Sequence, residues 1–185
     1  MIDTERLQIR LWRHEDAERL LDIQSRVEVM RWLGDGEPVL MKDLAEAHAK
    51  VDRYAELCAS APLGIWAVER RSDGVVVGTV LLVTLPNDEH GEVEIGWHLH
   101  PDSWGHGYAS EAARALLRHG FEGGLPEILA VTHLDNHPSQ AVMGRIGLAP
   151  RGVTDKWYDE PSELFGITAE EWRAAGGSAQ ASNSG

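Results

Sequence analysis

The sequence predicts a mixed α/β domain in which a mostly antiparallel sheet passes into one β-α-β crossover, with helices flanking it. Two patterns predict this. Segments alternating apolar and polar residues are interleaved with segments of helical period, in the order β-α-α-β-β-β-α-β-α-β-β. The middle strands follow one another across short turns, which suits antiparallel pairing. A doubly wound repeat would alternate strand and helix throughout, and this chain does not.

"LQIRLW" alternates and reads as the first strand. In "HEDAERLLDIQSRVEVMRWL" acidic residues come early, and Leu20, Leu21, Ile23 and Val27 follow at helical spacing. "GDGEPV" breaks that helix, and "MKDLAEAHAKVDRYAELCA" is a second amphipathic one. "GIWAVER" and "GVVVGTVLLVTL" flank "RSDG" as a hairpin, and "PNDEHG" leads into the strand "EVEIGWHLH", stopped at Pro101. Then come a helix "SEAARALLRHGF", a strand "EILAVTH" and a short helix "PSQAVMGRI" with Pro138 in its first turn. "LAPRGVTDKWY" and "ELFGIT" close the sheet. One domain is expected over residues 1–173, and the small polar residues of 174–185 read as a disordered tail.

The formal net charge of −13 argues against general nucleic-acid or anionic-membrane binding, since both need a basic face. The longest apolar run, "VVVGTVLLV", is too short to span a bilayer, and "MIDTERLQIR" lacks the apolar core of a signal peptide, so a cytoplasmic protein is expected. Cys58 is the single cysteine, which rules out an intramolecular disulfide or a cysteine-based zinc site. His133, Asp135 and His137 fit no standard ligand spacing, and no metal is expected.

Chemistry concentrates in "LHPDSWGHGYASEA" (residues 99–112). Gly105 and Gly107 permit positive φ, and the helix opening at Ala109 and Ser110 has orphan N–H donors. With the helix dipole these make an anion site without a lysine. The turn alone fits a plain strand-to-helix connection equally well. Its G-x-G-x-x-S spacing misses the dinucleotide fingerprint, and no Gly-Lys-Ser/Thr follows. In the preceding strand Val93, Ile95, Trp97 and Leu99 share one face, while Glu92, Glu94, Gly96, His98 and His100 share the other. On a central strand such a polar face lines a cleft, because buried carboxylates are costly unless paired or used. Gly96 is a candidate bulge.

"EIGWHLHPDSWGHGYASEAARALL" followed by "NHPSQAVMGRIGL" resembles the GCN5-related N-acetyltransferase (GNAT) superfamily. "TERLQIRLWRHEDAERL" and "LFGITAEEW" resemble, more narrowly, its RimJ/RimL-like branch. The resemblance covers roughly residues 2–172. It implies a GNAT sheet with a central, splayed pair of parallel strands. It implies transfer from an acyl-CoA, acetyl-CoA by default, to a primary amine (a protein N-terminus or a small molecule) by direct attack in a ternary complex. Trp104, Gly105, His106, Gly107, Tyr108, Ala109 and Ser110 would then hold the coenzyme A pyrophosphate, with His106 where a lysine or arginine is frequent. The backbone of Trp97, His98 and Leu99 would pair with the pantetheine arm, and Asn136 would hydrogen-bond that arm.

Many members carry a tyrosine acid seven residues after the asparagine; here Met143 stands there, and the branch's Asn-x-x-Ser offers Ser139 as proton donor to the sulfur. Glu94 is the favoured base, directly or through a water, with Glu92 in reserve and His98 as a third candidate. Trp32 and Glu92 are placed at the acceptor pocket, and Asp35 and Glu37 near it would attract an amine. Arg114 and Arg145 are candidates for the ribose phosphate. A homodimer is compatible with this reading. Two alternatives stay open: a coenzyme A-binding module without turnover, and transfer of succinyl or another short acyl group.

Overall fold

The computed structural model describes residues 1–34, 36–87 and 90–177; Asp35 and most of the expected tail lie outside them. The chain runs β1 (Ile2–Asp3), β2 (Leu7–Arg10), α1 (Ala17–Gln24), α2 (Val27–Met30), α3 (Leu44–Leu57), β3 (Gly64–Arg70), β4 (Val76–Thr84) and β5 (Val93–Leu99). It continues with α4 (Tyr108–Glu122), β6 (Glu127–His133), α5 (His137–Arg145), β7 (Ala149–Thr154), β8 (Ser162–Thr168) and α6 (Ala169–Ala174). The strands form one sheet in the order β1-β2-β3-β4-β5-β6-β8-β7, and only β5 and β6 pair parallel.

The elements depart from the sequence reading at several places. The single long helix expected after "LQIRLW" is a 3-10 turn at His14–Asp16 followed by α1 and α2, because Arg26 adopts extended backbone (φ −93°, ψ 119°) between them. Helical spacing of the apolar residues continues across that break, so periodicity cannot register it. Gly96 forms no bulge: β4 and β5 stay in register from Gly78–Leu99 to Thr84–Val93. Finally, α6 follows β8 directly, started by a capping box in which the Thr168 hydroxyl accepts from the Glu171 N–H while the Glu171 carboxylate accepts from the Thr168 N–H.

The sheet buries both faces. Leu7, Ile9, Val80, Leu82 and Ile95 pack with Leu116 and Leu117 of α4 on one side. Trp12, Leu20, Ile23, Val51 and Ala67 pack beneath α1 and α3 on the other. Each large side chain so enclosed contributes about 1.5–3 kcal/mol. The helices thereby clamp a sheet that is open at one place. β5 and β6 are in register only at Glu94–Leu129, and beyond it the two strands part. β4 hugs β5 past that split because Gly78 has no side chain; a Cβ there would strike the His98 carbonyl and the Leu99 Cα.

Candidate active site

A cleft of about 1740 Å³ opens at the split, bounded by β5, β6, the starts of α4 and α5, and the α1–α2 segment. Strand backbone that has lost its ladder partner borders this cleft, so its N–H and C=O groups are free to pair with an extended ligand.

The glycine turn enters α4 in left-handed backbone at Gly105 (φ +78°) and Gly107 (φ +79°). Gly107 is the N-cap and supplies no side-chain acceptor, so the first N–H groups of α4 remain available to an anion. Trp104, Gly105, Gly107, Tyr108, Ala109 and Ser110 all line the cleft. The Trp104 indole N–H donates to the Leu99 carbonyl (2.9 Å), folding the ring over the end of β5. His106, expected among the pyrophosphate residues, is instead outside the cleft lining: its exposed ring stacks on Tyr108 at 5.4 Å. Beside it Arg6 donates to the His106 carbonyl (3.0 Å), lies over the Tyr108 ring (4.9 Å) and pairs with Glu111 (2.6 Å). This places an arginine at the turn after all, one contributed by the opening of the chain and invisible to a local motif.

Glu94 points from β5 into the cleft on the α1–α3 side. The Tyr158 hydroxyl donates to its Oε2 (2.9 Å), and the Val131 N–H also donates to it. Burial outweighs these two bonds and pushes the Glu94 carboxyl up to about 7. Tyr158 lies on the β7–β8 connection, because the strand expected over "LAPRGVTDKWY" ends at Thr154.

The other two base candidates fare differently. Glu92 is not part of the cleft; it lies before β5 begins, and its carboxylate pairs with Lys156. His98 lines the cleft but is buried, with Nε2 3.3 Å from the Gln24 amide nitrogen. Burial and, secondarily, the Lys50 charge push its pKa down to about 4, so it is neutral at pH 7 and a weak base. Trp97 and Leu99 also line the cleft.

At the start of α5, Asn136 caps the helix by accepting from the Ser139 N–H (3.3 Å) and donates to the Thr132 hydroxyl (2.9 Å). Its amide is thus already engaged inside the protein at both ends. Ser139 is half-buried and lines the cleft, as does the buried Met143 that stands in the tyrosine position. Arg114 and Arg145 lie at the same end, with Arg114 donating to the Arg145 carbonyl (2.7 Å). Across the cleft, Trp32 meets His133 edge-on (6.1 Å) and carries the Arg31 guanidinium on its face (4.3 Å), with Glu37 also lining this wall.

Among the described residues no group of three or more His, Cys, Asp or Glu is placed to hold a metal ion, and no helix is long and apolar enough to cross a membrane.

Comparison with known proteins matches this geometry. The family model described as Acetyltransferase (GNAT) domain matches residues 6–149. FsC-acetyl coenzyme A-N(2)-transacetylase of Aspergillus fumigatus is 29% identical over 185 residues, covering 92% of this chain and 77% of that protein. The crystal structure of a GNAT-family acetyltransferase from Bacillus anthracis superposes with a TM-score of 0.74 at 28% identity, over 92% of this chain and 99% of that one. Mycobacterium smegmatis RimJ, solved with CoA-disulfide, shares the fold at a TM-score of 0.70 and 22% identity, over 92% of this chain and 89% of that one.

Proposed function

The chain belongs to the GNAT acetyltransferase family, and from that premise we propose that it moves an acetyl group from acetyl-CoA to a primary amine by direct attack, with Glu94 as base and Ser139 as acid. The observation carrying this reading is the position of Glu94. It is a carboxyl tuned to about 7, at the point where two parallel strands part, with Ser139 at the start of α5 lining the same cleft.

The pyrophosphate lies on the free N–H groups of α4, and the pantetheine arm takes the place of the missing ladder along β5. An ammonium has no lone pair, so the acceptor first gives a proton to the Glu94 carboxylate, directly or through a water. The amine nitrogen then bonds to the thioester carbon. A strand N–H near Trp97 or His98 receives the oxyanion that develops. As the oxyanion collapses, the cationic nitrogen sheds its second proton to solvent, the C–S bond breaks and sulfur leaves with the electron pair. It takes a proton from the Ser139 hydroxyl, which solvent reprotonates. Trp32 and Glu37 wall the acceptor side.

The test is thiol release from acetyl-CoA, with succinyl-CoA in parallel, against peptide N-termini, polyamines, aminoglycosides and amino acids. Turnover that falls about 100-fold or more in Glu94→Gln at neutral pH supports the assignment. Tight acetyl-CoA binding without turnover on any acceptor would leave a coenzyme A-binding module in its place.

A further inference from the structure

We propose that the acceptor carries a carboxylate as well as its amine, and that Lys50 on the wall of the cleft binds that carboxylate. This rests on the acyltransferase reading above and names the acceptor's chemical class.

Lys50 projects from α3, is half-buried and lines the cleft. Its Nζ donates to the Gln24 Oε1 (2.6 Å). The Gln24 amide nitrogen is held in turn by the Tyr54 hydroxyl (3.1 Å) and lies beside His98 Nε2 (3.3 Å). All three of these partners are neutral at pH 7, since burial raises the Tyr54 phenol and lowers the His98 imidazole. Among the described residues no carboxylate lies within ion-pair distance of Lys50. The charged groups nearest its element work against each other: Arg53 disfavours the ammonium and Glu46 favours it.

A desolvated cation is costly unless paired, and an ammonium has three donors, of which one is used here. The chain holds thirteen more acidic than basic residues, yet none is set against this lysine. Of the carboxylates that line the cleft, Glu94 holds the amine's proton, Glu28 lies 3.7 Å from Arg26 and Glu111 pairs with Arg6, while Glu5, Glu37 and Glu160 form no ion pair with Lys50. A ligand carboxylate supplies the missing partner.

Its distance from the amine follows from the strand. Glu94 and His98, which mark the two ends, are four residues apart, about 13 Å along β5. That span suits an acceptor of dipeptide length, or an amino acid whose amine and carboxylate sit at opposite ends of a chain. It does not suit a polyamine or an α-amino acid acting through its α-amine.

The test pairs Ala-Ala and 6-aminohexanoate with their C-terminal amides. Each is measured as kcat/KM from thiol release and, independently of turnover, as a calorimetric Kd on the enzyme saturated with coenzyme A. Wild type should favour acid over amide by about tenfold or more, the size of a charge-assisted bond. Lys50→Met, which keeps the stem, should reduce that ratio toward one, and Lys50→Arg should restore part of it. Equal treatment of acid and amide by wild type, or a ratio unchanged in Lys50→Met, overturns the proposal, even if both are acetylated. Were Lys50→Met to misfold, the wild-type ratio alone would decide. Acid-selective binding without any turnover would support the carboxylate site while removing the acyltransferase reading.

Discussion

Replacing Tyr158 by phenylalanine removes one hydroxyl and leaves the ring. That hydroxyl donates to Glu94 Oε2 at 2.9 Å and stabilises the ionised carboxylate, while burial opposes ionisation and holds the group at about 7. A hydrogen bond to a charged group contributes about 1.5–3 kcal/mol, and 1.36 kcal/mol moves a pKa by one, so the Glu94 carboxyl should rise by about one to two pH units. At pH 7 the wild-type carboxylate is about half ionised; in Tyr158→Phe only about one site in twenty-five would be, a loss of roughly tenfold in rate. The assay is kcat/KM by thiol release from pH 5.5 to 9.5, because this parameter reports groups of the free enzyme. The acceptor's own ammonium titrates in the same window, but its contribution is common to both proteins and cancels in their ratio. Wild type and variant should therefore differ about tenfold at pH 7 and converge near pH 9.5. A ratio independent of pH would refute the reasoning, since a hydroxyl that only packs or positions would cost the same at every pH.

The same carboxylate makes a stability prediction. A folded-state value near 7 against an ordinary 4.5 means that the stability this group contributes is fully present below about pH 4.5 and lost as pH rises through 7. Glu94→Gln mimics the neutral form and should raise Tm at pH 8, by up to about 3 kcal/mol of stability, and change it little at pH 4.5. Gly107→Ala places a Cβ at φ +79°, in ordinary contact with the Arg6 guanidinium (3.6 Å), so its cost is backbone strain of about 1–2 kcal/mol; a thermal melt should show that loss and an acetyl-CoA titration a weaker Kd, whereas unchanged affinity would mean the turn is not the anion cradle. Asn136→Ala removes the α5 cap and the bond to Thr132, and should cost about 1–2 kcal/mol in denaturant unfolding with a fall in kcat/KM, because Ser139 sits in the turn it caps.

What local sequence determined here is whatever depends on neighbours a few residues away. Side chains alternate every two residues along a strand, so the two faces of β5 and the polar set Glu94, Gly96, His98 were legible without a structure. Glycine's freedom at positive φ and the orphan donors of a helix start are likewise local, and they located the turn at Gly105 and Gly107. The α6 capping box, Thr168 with Glu171, is equally local, a Thr-x-x-Glu at the end of the last strand. The rest was decided by residues far apart in the chain. Glu92 and Glu94 are indistinguishable by face; Lys156 and Tyr158, more than sixty residues on, take one out of the cleft and tune the other. Arg6 reaches the turn across 100 residues, donating to the His106 carbonyl. Lys50 and Gln24, on two different helices, meet beneath β5 only once the sheet has its cover. Contacts of that range depend on packing and desolvation, and those quantities exist only in the folded chain.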